Sequence, residues 1–457
     1  MSEPLPLSLD LVPLPFLHRW IWRIDNHLHW QSSPTFVLLP IICLAFFVGF
    51  ALFLERSNPL AHIPVYRSLP RLLSRFQFFY DAQRVAHDGY WKHKGGVFRV
   101  LRWSGWVVVV TGRQLMEELY RIPEDTLSTW EAAKDEVQTL YTFGEQVSFR
   151  PYQLTLIKSK LVRHQDQVVR DLLDEAIPAF EEIIGQNCRD TSDWVEFDMN
   201  SISKVVTRTF NRILVGRELC RDKNYNQLSI DFTMGVYIVS IILNLFPSVL
   251  RGIVARAISQ LPRHQKMGAQ FLEPLIEERK ACRGRDDVLD KPNDFLSYLI
   301  DGVPEEELDT PGLVARLLTV TSATTHTSAS ALMHALLELA DRTSYAEPLR
   351  QEAAKALNTH GLTRKGIENM TQVDSFIKES TRMHAIGCVT FPLKAMKPIT
   401  LSDGTYIPKD SFVMSSVAVH FDEEFYENPY TFDGFLSFGQ GRHTCPADTL
   451  SHMFSRH

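Results

Sequence analysis

The distribution of apolar and polar positions along the chain changes character several times. From Asn26 to Leu54 there is no Asp, Glu, Lys or Arg, and the core of that stretch, Thr35 to Leu54, is 20 residues long. At about 1.5 Å per residue, a helix of this length crosses a hydrocarbon layer of ~30 Å, so the pattern predicts a membrane-spanning anchor. Pro59, Pro64 and Pro70 then punctuate a segment that favours an extended tether over a helix. Val97 to Val110 predicts two strands turning at Ser104-Gly105. From Gln114 to about Ser297, apolar residues recur at three- and four-residue spacing, as in helices, while Lys280 to Asn293 is charged and loop-like. Thr310-Pro311 predicts a helix start, with Thr310 as the capping hydroxyl and the helix running to about Ala340. A further helix is expected from Gln372 to His384, then a hairpin within Ile399 to Val419 around Ser402-Asp403-Gly404. The expected fold class is mainly α with a small sheet at each end of the soluble part, preceded by one transmembrane helix.

Within the helix that begins at Thr310, residues Thr319 to Ser330 read TVTSATTHTSAS, with eight hydroxyl residues in twelve. Threonine and serine are mediocre helix formers and bond back to helix carbonyls. Leu317-Leu318 and Leu332, Leu336 and Leu337 bracket the run, which predicts a buried hydroxyl-rich centre suited to chemistry.

Composition narrows the function classes. With 48 basic and 54 acidic residues, the formal net charge of −6 supplies no basic face, which argues against nucleic acid as a partner. The six cysteines lie at least 32 residues apart with no CxxC pair, a usage that suits a reducing compartment. Arg19 and Arg23 precede the apolar span, whereas Arg56, Arg67, Arg71 and Arg75 follow it, which predicts a cytosolic main body.

Residues Phe438 to Ala447 read FGQGRHTCPA. Gly439 and Gly441 allow a tight loop whose backbone approaches a flat ligand, and Cys445 follows next to Pro446 at an expected helix start. A thiolate there gains from unpaired backbone N–H groups and the helix dipole. This loop resembles the haem-binding signature of the cytochrome P-450 family, matching at Phe438, Gly439, Gly441, His443, Cys445 and Pro446. Upstream, Glu379-Ser-Thr-Arg382 matches the family's Glu-x-x-Arg motif, a spacing that puts both side chains on one helix face. Ala323 to Ser328 is similar to its oxygen-activation segment, with Thr327 at the proton-delivering threonine, His326 in place of the usual acid and Thr324 in place of the glycine.

The resemblance covers about residues 35 to 447 and extends to fungal membrane-bound members. It implies haem whose iron takes its axial thiolate from Cys445, a propionate contact at His443, and a proton relay at Thr327 with His326. It implies a structural pair at Glu379 and Arg382. It also implies a monooxygenase that uses dioxygen, a lipophilic small molecule (terpenoid, steroid or xenobiotic) and a separate NADPH-dependent cytochrome reductase. The expected organisation is a lumenal segment 1–34, an anchor 35–54, a tether 55–70 and a haem-binding catalytic domain 71–457, in a single-pass protein of the endoplasmic reticulum membrane.

Several positions depart from the family pattern. Leu436 stands where an arginine normally completes a triad with Glu379 and Arg382, which predicts an underpaired Glu379 carboxylate. Only Leu436 and Ser437 separate Phe432-Asp-Gly-Phe435 from Phe438, Ala447 replaces a glycine, and the chain stops at His457, so the domain is expected to be incomplete at its C-terminus. Leu393 replaces a propionate-binding arginine, with Lys394 adjacent, and the helix near Lys158 and Arg163 lacks a Trp-x-x-x-Arg motif. A rival expectation is therefore a non-catalytic relative with impaired haem binding. A haem isomerase or dehydratase, which needs no reductase, is a third.

Overall fold

The computed structural model describes residues 58–67, 77–185, 197–284 and 292–426, apart from positions 79, 103 and 162, together with Gly49 and Pro429. The chain divides into two units, Met1–Asn58 and Pro59–His457, and every element named below belongs to the second. The apolar span 35–54, apart from Gly49, and the segment 431–457 lie outside the described residues.

In chain order, the main helices are α1 (Ala82–Lys92), α2 (Arg113–Arg121), α3 (Thr129–Glu136), α4 (Gln165–Ile183), α5 (Met199–Val215), α6 (Lys223–Asn244), α7 (Ser248–Ile258), α8 (Leu261–Ala281), α9 (Phe295–Gly302), α10 (Thr310–Asp341), α11 (Ala346–His360) and α12 (Thr371–Met383). The strands are β1 (Val97–Arg102), β2 (Gly105–Val110), β3 (Leu127–Ser128), β4 (Leu393–Ala395), β5 (Ile399–Thr400), β6 (Tyr406–Ile407) and β7 (Phe412–Ser415). The mainly helical expectation holds. The two small sheets do not stay apart, however: five strands form one sheet in the order β1-β2-β7-β4-β3. The physical reason is the run Val107–Val110, buried on both faces, which needs a second neighbour besides β1 and finds β7 in parallel register, Val107 opposite Phe412. The hairpin β5–β6 forms as expected, with Gly404 at φ +85° in its turn.

Part of the proline-punctuated stretch is packed on the domain. Leu60 and Ile63 are buried, Arg99 N–H donates to Pro64 O (2.8 Å), and Tyr66 N–H donates to Arg99 O (3.1 Å). Of the charged stretch 280–293, α8 takes the first two residues, and 285–291 lie outside the described residues.

The helical body is organised on α10. Leu313, Leu317 and Leu318 are fully buried in one cluster with Leu228 and Phe232 of α6, Leu272 and Ile276 of α8, and Leu299 of α9. Burying a side chain of this size contributes ~1.5–3 kcal/mol, so the N-terminal half of α10 is held by apolar contact and not by helix propensity. Among the described residues one helix, α6, is long and apolar enough to cross a membrane, and half of its apolar window is buried inside the domain. Gly268 sets the approach of α8 to α10: a Cβ there would come within 2.6 Å of Val314 Cγ1. Gly268→Val is expected to cost about 1–3 kcal/mol through overpacking. A shift of the urea midpoint, with an unchanged slope, is the measurement that checks this.

Candidate functional site

The 32-residue helix α10 carries the hydroxyl run, and its ends explain why it stays helical. Its N-cap is Asp309, not Thr310: the Asp309 carboxylate accepts from Gly312 N–H at 2.8 Å, and Thr310 becomes the first helical residue. A carboxylate at this position also answers the helix dipole, which a hydroxyl cannot. Within the run, hydroxyls donate back along the helix: Thr319 to Ala315 O (2.7 Å), Thr321 to Leu317 O (3.1 Å), Ser322 to Thr319 O (2.9 Å) and Thr327 to Ala323 O (2.9 Å). Thr207 of α5 donates to Thr325 Oγ1 at 3.3 Å. The buried polar atoms are thus satisfied without unwinding the helix.

Burial divides this stretch into two faces. Thr319, Thr321, Ser322, Thr325 and Ser330 are buried, as expected, whereas Ala323 is exposed and His326 and Thr327 are half-buried. An exposed alanine midway along an otherwise packed helix leaves an apolar surface free of long side chains. His326 and Thr327 flank it. The His326 ring packs on Tyr237 of α6, with ring centroids 5.0 Å apart and planes at 58°. Burial lowers the pKa of His326 and raises that of the Tyr237 phenol, so both are neutral near pH 7.

Glu379 and Arg382 meet on α12 as their spacing predicts. Arg382 Nε donates to Glu379 Oε2 (2.8 Å) and Nη2 donates to Oε1 (2.6 Å), with the arginine fully buried. Both carboxylate oxygens are therefore bonded, and the expected underpaired Glu379 is not found. The bidentate fork of Arg382 supplies both bonds that a third residue was thought necessary to share. Position 436 itself lies outside the described residues. Arg382 Nη1 also donates to the carbonyls of His420 (2.6 Å) and Pro429 (2.7 Å). Buried Asp422 accepts from Tyr90 Oη (2.6 Å) and Lys94 Nζ (2.8 Å). The backbone leading towards the cysteine loop is therefore tied to α12 on one side and α1 on the other.

The remaining candidates fall in different places. Phe438, Gly439, Gly441, His443 and Cys445 lie outside the described residues. Lys394 is engaged by Asp135 at 2.6 Å, and Lys158 and Arg163 are exposed. Among the described residues no group of three or more His, Cys, Asp or Glu is placed to hold a metal ion. The described cysteines, Cys220, Cys282 and Cys388, are free. Burial pushes the Cys220 thiol up to about 12 and raises that of Cys388, so neither is a thiolate donor. Apolar Ile386 and Phe391 are exposed just beyond α12. Short or apolar side chains on α10 and beyond α12 suit a flat apolar macrocycle, and neither Cys220 nor Cys388 offers a thiolate to its metal. These residues fit haem.

A family model for cytochrome P-450 matches residues 67–454. The chain belongs to the cytochrome P-450 family. It is 33% identical over 446 residues to cytochrome P-450 monooxygenase 71 of Postia placenta, covering 91% of this chain and 88% of the relative. It is 29% identical over 424 residues to cytochrome P-450 monooxygenase CYP512U6 of Ganoderma lucidum, covering 85% and 82%. Against cytochrome P-450 monooxygenase janP of Penicillium janthinellum it is 30% identical over 417 residues, covering 83% and 78%. This cytochrome P-450 is thus a haem-dependent monooxygenase with fungal relatives. Sequence reasoning missed Tyr237. Nothing marks it in the sequence, because its role comes from the packing of α6 on α10 and not from a local motif.

Proposed function

We propose that this cytochrome P-450 inserts one oxygen atom from dioxygen into a lipophilic small molecule of the terpenoid, steroid or xenobiotic class. Electrons come from a separate NADPH-dependent reductase at the same membrane. The observation that carries the reading is the open Ala323–Thr327 face beside the buried hydroxyls Thr321, Ser322 and Thr325 in the middle of a hydroxyl-rich helix. Cys445 would hold the haem iron through its thiolate, His443 would bond a propionate, and Phe438, Gly439 and Gly441 would let the loop backbone approach the ring. Haem so ligated supplies dioxygen activation. The rest falls to the chain. Thr327 offers a hydroxyl at the open face, oriented by its bond to Ala323 O (2.9 Å), and passes protons inward. His326, held neutral by burial, can accept a proton on one ring nitrogen and release one from the other. Glu379 and Arg382 hold the backbone beneath the haem loop. The apolar span 35–54 anchors the protein in the endoplasmic reticulum membrane with the catalytic domain in the cytosol.

The test is turnover of the full chain with reductase and ¹⁸O-labelled dioxygen, which should place one labelled atom in the product and the other in water. Thr327→Ala is expected to lower product formation on the order of 10²-fold while NADPH consumption continues, because proton delivery is lost and electron supply is not. Undiminished turnover in Thr327→Ala would instead support a haem isomerase or dehydratase.

A further inference from the structure

The pairing of Tyr237 with His326 has a consequence for what the enzyme binds. The two rings pack with centroids 5.0 Å apart, a separation within the usual range for aromatic pairs. Their polar atoms are left over. Among the described residues, neither the Tyr237 hydroxyl nor either His326 nitrogen has a hydrogen-bonding partner, and neither residue takes part in an ion pair. Tyr237 is 37% exposed, and His326 is half-buried one residue before Thr327. The pair therefore places one phenol and one neutral imidazole, each able both to donate and to accept, at the margin of the open face of α10. A neutral imidazole offers no charge for a carboxylate, and among the described residues no acid stands beside the pair to receive an ammonium. A charged substrate group would be desolvated there without a counter-ion. A neutral oxygen would be met on both sides.

Building on the monooxygenase reading above, we infer that Tyr237 and His326 together anchor a hydroxyl or carbonyl oxygen of an otherwise apolar substrate. They thereby fix which carbon is presented beside Thr327. The enzyme then acts on molecules that already carry oxygen, and a preceding hydroxylation, hydration or carbonyl-forming step must supply its substrate.

The experiment uses the full haem-loaded chain in nanodiscs and equilibrium dialysis with three matched pairs of probes. These are androstane and 3-hydroxyandrostane, decalin and decalol, and biphenyl and 4-hydroxybiphenyl. For at least one pair, Tyr237→Phe and His326→Leu should each weaken binding of the oxygenated member about tenfold and leave the hydrocarbon unchanged, as expected for a lost hydrogen bond. Tyr237→Phe keeps the ring and decides the matter alone if His326→Leu does not fold. The proposal is overturned if the ratio of the two affinities is unchanged in every pair, or if both members weaken equally. The reduced carbon-monoxide spectrum, taken on the same samples, separates the two readings. Its loss in the unaltered chain removes the haem-thiolate reading, whereas its persistence with an unchanged ratio removes only the anchor.

Discussion

Cys445→Ser is expected to abolish the strongly red-shifted Soret band of the reduced, carbon-monoxide-bound protein, and monooxygenase turnover with it. That band requires a thiolate on iron, and a serine hydroxyl remains protonated near pH 7 and is a poor match for a soft metal centre. Neither Cys220 nor Cys388 suits as a replacement: buried Cys220 has its thiol pushed up to about 12, and burial likewise raises that of Cys388. The glycines beside Cys445 should show a graded version of the effect. A side chain at Gly439 or Gly441 keeps the thiolate but obstructs close approach of the backbone, so haem content falls while the band position stays. Membranes containing the unaltered chain and Cys445→Ser, compared by reduced carbon-monoxide spectra at equal protein, give the answer. A serine variant that keeps the red-shifted band would mean that another group ligates the iron.

Local signals made much of the fold legible. The three- and four-residue apolar spacing gave the helices, and the turn at Ser402-Asp403-Gly404 appears where expected, whereas Gly105 is already paired with Arg102 as the first residue of β2. What sequence could not provide was pairing between distant segments. That β2 lies beside β7, more than three hundred residues later, follows from the two-sided burial of Val107–Val110, which a run of valines alone does not specify. The cap of α10 shows a finer ambiguity. Asp309 and Thr310 are both good capping residues in adjacent positions, and only the bond to Gly312 N–H decides between them.

The site was legible to the extent that its chemistry sits in contiguous motifs. Glu379 and Arg382 are three residues apart, so helix geometry alone brings them together. The absent arginine at position 436 suggested an underpaired acid because motif reasoning counts partners, whereas a buried guanidinium fork satisfies two oxygens at once. Tyr237 was out of reach for the opposite reason. It is an ordinary residue in an apolar helix until α6 folds against α10 and puts its ring on His326.

Arg382→Ala should strongly destabilise the haem domain. Arg382 is fully buried and Glu379 is 3% exposed, so the substitution leaves a carboxylate inside the protein with neither of its two bonds. It also removes the donor shared by the carbonyls of His420 and Pro429, which releases the backbone that leads to the cysteine loop. Breaking a buried pair in this way costs about 3–5 kcal/mol, against a total stability on the order of 5–15 kcal/mol for a folded domain. Arg382→Lys should do little better, because an ammonium cannot fork across a carboxylate and reach both carbonyls as well. Glu379→Gln is milder, since it leaves a neutral acceptor opposite the arginine. The decisive measurement is a double-mutant cycle with Glu379→Leu and Arg382→Met, read by urea denaturation and by haem content per polypeptide. If the cost of each single change is mainly an unpaired buried charge, the double variant will be more stable than the sum of the two losses predicts. Haem content should nevertheless stay low in it, because the His420 and Pro429 carbonyls still lack their donor. Additive losses, or full haem retention in Arg382→Met, would show that the pair does not hold the loop backbone in place.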